Sequence, residues 1–596
     1  MASPYLYDES NRVWVRTNVD SISYSDGDEL EVKLLAALKN IKNLSCFSLE
    51  IQALIKDWPT EYHLSDIRHN LLRPYPFSPS DRILELGCGC GAMTRYLGET
   101  GAEIIAVEGS LRRAKIAAER CRDLPNVKVY CDNIANFKID QEFDYVTLIG
   151  VLEYAQLFVD SPTPIDYCLA LANTYLKRQG SLVLAIENKL GLKYFAGCLE
   201  DHVGIPYFGI NDLYTQHTPV TFGRRELTRY LNQNGFNNLD FYYPFPDYKL
   251  PNLLISEAGA THSSINLKDL LIHSTARDYP RFYERAFAEG LAWGPLAENG
   301  LISEMANSFL VFAYKNRTPP LGNWLAKVYG RSMRKPEFQI ETSIQFEAGV
   351  LRASKNYLFP EKEKIYLDTL FSHVLTSSNY FQGHLLLREI QLALVRQQSL
   401  EEILSAFHPW ITYLLKHASV GEGGKFYLPR DFIDCVPANL IVEKNSEIEY
   451  LDAEWVCKVP IPIAWVLVRG VIYSLSGCLD SMPLRGMTYR QFIDELLEGF
   501  DIDIEQQDYL EANEINKRFS EFCHVPRAIG NSLIDIIDKP IWMMSRMHGK
   551  QKAEAEIVRL KATISWRITA PFRVLWNFCL KQIKRVKRLC NAISKD

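Results

Sequence analysis

A carboxylate stands directly before a glycine-rich turn in the segment RILELGCGCGAMTRYLGE, residues 82–99. Glu85 lies near the end of a short apolar run, and Gly87, Gly89 and Gly91 follow at every second position before a helical pattern. Glycines in such a turn let the backbone approach a ligand closely. The spacing also fits a dinucleotide-binding loop, but a carboxylate would be repelled by a pyrophosphate. S-adenosylmethionine carries a sulfonium and an ammonium group instead, so the sequence favours this cofactor.

The residues that follow occur in the order that such a cofactor needs. Glu108 ends the run EIIAVE, where its carboxylate can accept hydrogen bonds from both ribose hydroxyls. Asp132 follows VKVYC and can accept from the adenine amino group, with Asn133 and Ile134 next along the ring. Gly150 ends FDYVTLIG, where we expect it to face the methionine part.

The elements that position these residues are short apolar runs alternating with helical patterns over residues 81–190. This alternation predicts an α/β fold, a Rossmann-like doubly wound parallel sheet. The stretch 226–251 predicts a helix, a turn at Gly235 and a strand, and NSFLVFAYK predicts another strand. We therefore expect a first domain over 1–316, followed by the Pro/Gly-rich link NRTPPLGNW.

Over residues 60–316 the chain resembles the class I S-adenosylmethionine-dependent methyltransferases. WPTEYHLSDIRHNLLRPY, IENKLGLKYFAGCLEDHVGIPYFGI and YPFPDYKLP further resemble methyltransferases from bacterial surface-polysaccharide (O-antigen) gene clusters. The resemblance implies a methyltransferase that modifies a surface polysaccharide or its phosphorylated end. It also implies lipid-linked or nascent polysaccharide and glycosyltransferases as partners, in the cytoplasm or peripherally on the inner membrane.

Transfer to a sugar hydroxyl needs a base, whereas transfer to a phosphate oxygen does not. His63 in EYHLS and Glu153 in VLEY are the candidate bases; a structural histidine and a helix cap are the alternatives. Arg68 can hold the methionine carboxylate or an anionic substrate. An insertion at 190–300 is rich in aromatic residues, which could stack on sugar rings or form ordinary core.

A second pattern with catalytic spacing lies in DFIDCVPANLIVEKNSEIEYLDAEW, residues 431–455. Asp434 and Asn439 have the D-x-x-x-x-N spacing of a kinase catalytic loop, and Asp452 follows two strand-like runs. This resembles protein-kinase-like and aminoglycoside-kinase-like folds, which implies a catalytic Asp434 and a Mg²⁺ site at Asn439 and Asp452.

In that resemblance, Lys355 takes the nucleotide-binding lysine role, with Mg²⁺ and ATP as cofactors. A phenylalanine, Phe432, stands at the usual histidine position, DAE replaces DFG, and the sequence has no glycine-rich phosphate loop. We therefore expect an α+β kinase-like module over 317–500, active or degenerate; a degenerate module would bind glycan or a partner.

The last segment, 501–596, is predicted to be a helical tail. Apolar residues from Phe572 recur at spacings of three and four, and no acidic residue occurs between Arg559 and Lys595. A basic amphipathic helix of this kind suits an anionic membrane surface. A coiled coil in an oligomer is the alternative, since AEAEIVRLKATI has a heptad character.

Composition bounds these interpretations. A net charge of −6 gives no case for nucleic-acid binding, and no apolar run is long enough to span a membrane. Thirteen scattered cysteines without CxxC pairs favour a reducing, cytoplasmic compartment. The alternatives are a methyltransferase of protein, RNA or a small molecule, and a polysaccharide-assembly scaffold that retains cofactor binding.

Overall fold

The structure is a computed structural model that describes residues 4–17, 28–277, 284–316, 322–330, 334–358, 370–500, 502–526 and 532–546. The predicted basic helix of the tail, from Phe572 onward, lies outside these residues. In the described part of the chain, no helix combines the length and the apolarity that crossing a bilayer requires.

The strands of the described residues are numbered in chain order. They are β1 (Tyr5–Asp8), β2 (Val13–Arg16), β3 (Arg82–Leu86), β4 (Glu103–Glu108), β5 (Val127–Cys131), β6 (Phe143–Ile149), β7 (Leu176–Glu187), β8 (Asn238–Phe245), β9 (Leu253–Ser256), β10 (Glu284–Arg285), β11 (Ser308–Tyr314), β12 (Trp324–Tyr329), β13 (Ile340–Glu347), β14 (Val350–Tyr357), β15 (Phe371–His373), β16 (Ser378–Asn379), β17 (Gly383–Leu385), β18 (Ser419–Val420), β19 (Phe426–Leu428), β20 (Leu440–Glu443), β21 (Ile448–Tyr450), β22 (Trp455–Cys457), β23 (Ile461–Pro462), β24 (Cys478–Leu479) and β25 (Met543–Arg546).

The α-helices of the same residues are numbered in the same way. They are α1 (Asp28–Asn40), α2 (Leu49–Ala53), α3 (Trp58–Leu64), α4 (Ala92–Glu99), α5 (Leu111–Arg120), α6 (Ala155–Phe158), α7 (Pro164–Tyr175), α8 (Leu192–Phe195), α9 (Arg224–Gln233), α10 (Glu257–Thr261), α11 (Leu267–Leu270), α12 (Glu289–Glu298), α13 (Ile302–Met305), α14 (Leu386–Val395), α15 (Leu400–Ser405), α16 (His408–His417), α17 (Ile463–Leu475), α18 (Tyr489–Leu497), α19 (Gln506–Cys523) and α20 (Leu533–Ile537).

The central sheet has the order β1-β2-β5-β4-β3-β6-β7-β11-β8-β9-β12-β13-β14-β16. Strands β5, β4, β3, β6 and β7 are parallel, and β11 is antiparallel to both β7 and β8. The chain winds outward from β3 in both directions, which confirms the predicted doubly wound, Rossmann-like arrangement. In such sheets ligands bind at the carboxyl ends of the strands, where the order reverses.

Alternation along the strands divides the core between the two faces of the sheet. Ile83 packs with residues of α4 and α5, such as Met93 and Ala114. Its neighbour Leu84 packs on the opposite face, with residues of α7 and α12 such as Leu169 and Trp293. Helices therefore cover both faces of the parallel strands, which explains why these strands read as continuous apolar runs.

The antiparallel part of the sheet continues past the predicted link at residue 316. β12 pairs with β9, and β13 and β14 extend the sheet as a hairpin. A separate core, formed mainly by residues 386–523 and joined by Phe338, Phe371 and Leu533–Ile541, buries Trp410, Trp455 and Trp465. The predicted strand–turn–strand over 440–450 is confirmed as the β20–β21 hairpin.

Candidate active site

A cavity of about 400 Å³ lies at the carboxyl edge of β3, β4 and β6. The glycine loop after β3 lines one part of it, and Trp58 and Tyr62 of α3 line another. The cavity brings together the following predicted site residues: His63, Arg68, Glu85, Gly87, Gly89, Glu108, Ile134, Gly150 and Glu153. Gly91, Asp132 and Asn133 are not among its lining residues.

The glycine loop is held by β4. The amide of Gly87 donates to the Val107 carbonyl at 2.8 Å, and that of Gly89 donates to Glu108 Oε2 at 2.8 Å. Gly89 has φ +54°, and a Cβ built on it would meet no atom within 4 Å, so this position faces open space. Because Glu108 Oε1 also accepts from the Ser110 amide at 2.9 Å, the carboxylate fixes the loop while it lines the cavity.

Glu85 is 4% exposed and lines the same cavity. Burial raises the pKa of its carboxyl to about 7, whereas Thr94 and Arg68 lower it and Glu108 raises it. A bound sulfonium or ammonium group would favour the carboxylate form. The position therefore suits a cationic ligand.

Gly150 must be a glycine for a steric reason. It has φ +69°, and a Cβ on it would lie 2.7 Å from the Tyr248 hydroxyl oxygen. Its amide donates to the Ala185 carbonyl of β7 at 2.9 Å. The backbone at the end of β6 thus comes close to an aromatic side chain that also lines the cavity.

Two of the residues predicted to contact adenine are engaged by other parts of the chain. Asp132 Oδ2 accepts from the Tyr5 hydroxyl at 2.6 Å and from Arg16 Nε at 2.7 Å, so it joins the β1–β2 hairpin to the sheet. The Asn133 amide donates to the Phe158 carbonyl at 2.9 Å. Ile134 alone of this group lines the cavity.

Arg68 and His63 reach the cavity from the segment that precedes β3. Arg68 donates to the Tyr62 carbonyl at 2.9 Å, and its guanidinium lies 3.9 Å from the centroid of the Tyr62 ring. His63 is 3% exposed, and its carbonyl accepts from the Arg120 guanidinium. The contacts of α3 therefore place both side chains at the wall.

A group that we name the carboxylate–imidazole cluster consists of Glu153, Glu187 and His202. One donor atom from each residue lies within 4.8 Å of the others. His202 Nε2 is 3.4 Å from Glu187 Oε2 and 4.0 Å from Glu153 Oε1. Glu153 and Glu187 are fully buried, and Glu153 and His202 line the cavity.

The cluster is held by a second set of charged and polar groups. The Tyr154 hydroxyl is 2.9 Å from His202 Nδ1, which turns Nε2 toward the carboxylates. Lys249 binds the other oxygen of Glu187 and also Asp201 Oδ1 at 2.8 Å. Lys193, which is almost completely buried, pairs with Asp201 Oδ2 at 2.6 Å.

Burial and the charges within the cluster shift the pKa values of its three side chains in different directions. Burial raises the pKa of Glu153, and the charge of Glu187 raises it further. Burial opposes ionisation of Glu187, but Lys249 and His202 hold its pKa below the ordinary value. Burial lowers the pKa of His202, but Glu187 and Glu153 outweigh this effect and raise it to about 9.

Sequence reasoning found Glu153 but missed Glu187 and His202. Glu187 had a visible signal, because it ends β7 as Glu108 ends β4. His202 stands in the irregular segment after α8, where no periodic pattern exists.

The second predicted site places Lys355 of β14 against two acids. Lys355 Nζ binds Asp452 Oδ1 and lies 3.3 Å from Glu454 Oε2. Burial opposes ionisation of Glu454, but Arg334, His373 and Lys355 hold its pKa below the ordinary value. The predicted lysine and the predicted metal-binding acid, 97 residues apart, are therefore in contact.

The catalytic-loop residues lie beside the β20–β21 hairpin. Asn439 donates to the Asp434 carbonyl at 2.9 Å, and its own carbonyl accepts from the Leu451 amide at 2.7 Å. The hairpin thus carries Asn439 and Asp452 to the same end, as predicted. The Asp434 carboxylate is paired with the Arg469 guanidinium at 2.5 Å.

Residues 83–162 match the family described as "Methyltransferase domain". These residues are therefore similar to a methyltransferase domain, and the strand order around them is that of a Rossmann-like fold. Ribosomal RNA small subunit methyltransferase A of Thermotoga maritima is 34% identical over 77 residues, 13% of this chain and 28% of that protein. Malonyl-[acyl-carrier protein] O-methyltransferase of Bacillus anthracis is 33% identical over 84 residues, 13% of this chain and 31% of that protein. The chain spans about three tenths of the length of these curated relatives.

Two solved structures are similar over a larger share of the chain. A Thermotoga maritima methyltransferase, described as a possible histamine N-methyltransferase, is 18% identical and covers 43% of this chain and 91% of its own, with a TM-score of 0.25. Phosphoethanolamine N-methyltransferase 2 of Haemonchus contortus, in complex with S-adenosyl-L-methionine, is 16% identical and covers 41% and 50%, with a TM-score of 0.25.

Proposed function

We propose that this protein transfers the methyl group of S-adenosylmethionine to an oxygen of a bacterial surface polysaccharide, at a sugar hydroxyl. The observation that carries the choice of a hydroxyl is the carboxylate–imidazole cluster on the cavity wall. A hydroxyl must lose its proton as the new bond forms, so its site needs a group that accepts the proton or binds the oxygen. A phosphate oxygen has no such need.

The polysaccharide as substrate rests on the sequence resemblance and on the residues that line the cavity. Most aromatic residues of the 190–300 segment, including Phe241, Tyr243 and Phe245, are buried core and not a sugar-stacking surface. Tyr154 and Phe158 line the cavity beside the cluster and present aromatic surface to an acceptor. The segments that resemble polysaccharide methyltransferases contain Tyr62, His63 and His202, all of which line the cavity.

The test uses the full chain, radiolabelled S-adenosylmethionine and lipid-linked glycan purified from cells that lack this protein. Label should enter the glycan, and mass spectrometry should locate one methyl ether per modified sugar. Glu153→Gln should lower kcat by about a hundredfold or more, in the range of acid–base contributions, with little change in cofactor affinity. Glu298→Gln, an exposed position on α12, is the matched control. Methyl esters of phosphate, or full activity of Glu153→Gln, would contradict a hydroxyl acceptor.

A second function is favoured by the contact between Lys355 and Asp452. We propose that the second segment binds a magnesium nucleotide, with Lys355 at the phosphates and Asn439 and Asp452 at the metal. Lysine and a metal-binding acid meet at the phosphates in kinase folds. Their ion pair supports this arrangement, since each would exchange its partner for the phosphates or the metal. The pairing of Asp434 with Arg469 must open before Asp434 can act as a base.

Calorimetry with ATP, with and without Mg²⁺, tests this second function. Magnesium-dependent binding is expected, and Asp452→Asn should abolish most of it. Asp480→Asn is a suitable control, because Asp480 pairs with Arg485 at the surface of the same segment. An ATP affinity that changes neither with Mg²⁺ nor in Asp452→Asn would contradict the assignment.

A further inference from the structure

The carboxylate–imidazole cluster holds more negative charge than its surroundings offset. Four buried carboxyl groups, those of Glu153, Glu187, Glu200 and Asp247, and that of Asp201, whose side chain is 11% exposed, surround two lysines, Lys193 and Lys249. With all of the carboxyl groups ionised, three negative charges remain in excess of the two lysines, and a proton on His202 offsets one of them. Buried carboxylates at this density are stable only with bound cations, whether protons or a metal ion.

The donor atoms that face each other within the cluster have no hydrogen-bond partner among the described residues. They are Glu153 Oε1 and Oε2, Glu187 Oε2 and His202 Nε2. Buried polar atoms are almost always satisfied, so four such atoms converging on one point indicate a missing ligand. Both oxygens of Glu153 lack a hydrogen-bond donor among the described residues, and His202 Nε2 lies 4.0 Å from Oε1.

The spacing of these donors fits a single ion. Bonds of about 2.0–2.2 Å from carboxylate oxygen and imidazole nitrogen to a metal place adjacent ligand atoms roughly 3–4 Å apart. The distances from His202 Nε2, 3.4 Å to Glu187 and 4.0 Å to Glu153, lie in that range. The Tyr154 hydroxyl at His202 Nδ1 and Lys249 at the second oxygen of Glu187 orient two of the ligands from outside, as the outer partners of metal ligands do.

We propose that Glu153, Glu187 and His202 bind a divalent transition-metal ion at the wall of the cofactor cavity. Two carboxylates with one imidazole suit Mn²⁺, which accepts oxygen donors and tolerates nitrogen. Glu153 and His202 line the cavity, so the remaining coordination positions are open to an acceptor from that side.

The chemical role of this ion rests on the proposed function, although its binding does not. An acceptor hydroxyl bound to the ion would become more acidic, since a metal ion lowers the pKa of a bound O–H group. The hydroxyl proton would pass to water, and the oxygen would form the new bond to the methyl carbon. The electron pair of the broken carbon–sulfur bond would return to sulfur, leaving S-adenosylhomocysteine.

Mn²⁺ alone is the probe, added to the full chain without nucleotide and followed by the electron paramagnetic resonance signal of the free ion. One tightly bound Mn²⁺ per chain is expected. Glu153→Gln and His202→Gln should each weaken it at least tenfold. Glu153→Gln breaks no hydrogen bond of the described residues, so its fold should survive, and retained S-adenosylmethionine binding checks this in the same sample.

Asp452→Asn separates this site from the second acidic site and should leave the affinity for Mn²⁺ unchanged. Absence of Mn²⁺ binding in a chain that binds S-adenosylmethionine would overturn the proposal, as would binding that survives both cavity variants or disappears in Asp452→Asn. Methyl transfer that persists after chelation, in a chain without Mn²⁺ binding, would overturn the metal site and leave the proposed function intact. Bound Mn²⁺ without methyl transfer to glycan would contradict the proposed function and leave the metal site intact.

Discussion

At the scale of single residues, the proposed contact between Glu85 and the cofactor would link the protonation state of the protein to cofactor binding. Burial raises the pKa of Glu85 to about 7, and the charged groups that act on it, Arg68 and Glu108, shift it in opposite directions. Only the carboxylate form attracts a sulfonium or ammonium group. With Glu85 at the cofactor, as we propose, the free protein below pH 7 would lose a proton from Glu85 on binding, and this linkage would weaken binding.

We expect the affinity for S-adenosylmethionine to rise from pH 6 to pH 8 and to level off above the pKa of Glu85. Glu85→Gln should bind about ten- to a hundredfold more weakly at pH 8, the cost of a lost hydrogen bond to a charged group. The affinity of Glu85→Gln for S-adenosylmethionine should also lack the part of the increase between pH 6 and pH 8 that ionisation of Glu85 causes. Calorimetry in buffers of different ionisation enthalpy measures both the affinity and the proton released. An identical pH profile in Glu85→Gln, with Glu298→Gln as the control, would remove Glu85 from the cofactor site.

The residues that could be predicted from the sequence are those whose roles follow from local spacing. Glu85, Glu108 and Gly150 stand at the ends of strands whose apolar runs are visible, so their shared edge follows from the topology. Glu187 and His202 meet Glu153 only through the packing of β7, the following loop and β6, which no short pattern encodes. The hydrogen bonds from Tyr5 and Arg16 to Asp132 join residues more than 110 positions apart, and the sequence pattern did not indicate them either.

At the scale of elements, three glycines with positive φ separate steric packing from ligand access. Gly91, the N-cap residue just before α4, has φ +77°, and a Cβ on it would lie 2.8 Å from the Ala117 Cα of α5. Gly89 in the loop has φ +54° and Gly300 after α12 has φ +67°, and neither has an atom within 4 Å of such a Cβ. The three positions share a left-handed backbone but differ in their surroundings.

Replacement of each glycine by alanine should therefore give three different results. Gly300→Ala should cost about 1 kcal/mol of unfolding free energy, from the backbone conformation alone. Gly91→Ala should cost clearly more, because α4 and α5 must also move apart. Gly89→Ala should resemble Gly300→Ala in stability but bind S-adenosylmethionine at least tenfold more weakly, since its methyl group occupies the cavity. Denaturant unfolding and calorimetry measure the two quantities, and equal stabilities for all three variants would contradict the helix contact.

At the scale of the whole molecule, one sheet joins the first domain, which contains the matched residues 83–162, to the second segment. β12, β13 and β14 continue the antiparallel strands of the first domain, and β14 carries Lys355 toward the acids of the second core. The apolar runs over residues 81–190 made the parallel strands predictable. The continuation of the sheet through β12 was not predictable, because the pairing of β12 with β9 joins residues about 70 positions apart across a Pro/Gly-rich link.

The tail gives the prediction that concerns the whole chain and its surroundings. From Arg559 to Lys595 its sequence is basic without any acid, and its apolar residues recur at helical spacing. A Lys or Arg near an anionic leaflet contributes about 1 kcal/mol to binding, and this contribution is lost as salt shortens the screening length from about 10 Å at 0.1 M to about 3 Å at 1 M. We therefore expect the full chain to sediment with vesicles that contain phosphatidylglycerol, at low salt and not at high salt.

Truncation after Ile564 should release the chain from these vesicles without changing its affinity for S-adenosylmethionine. Replacement of Lys584, Arg585, Lys587 and Arg588 by glutamine keeps the apolar spacing and should also weaken binding, which separates charge from helix burial. Vesicles of phosphatidylcholine alone are the control and should retain little protein, since their surface has no net charge. A different result would identify the tail as a coiled-coil segment. In that case the intact chain would be an oligomer, the truncated chain would be a monomer, and vesicle binding of the intact chain would not depend on salt. The heptad character of AEAEIVRLKATI would then be the pattern that matters.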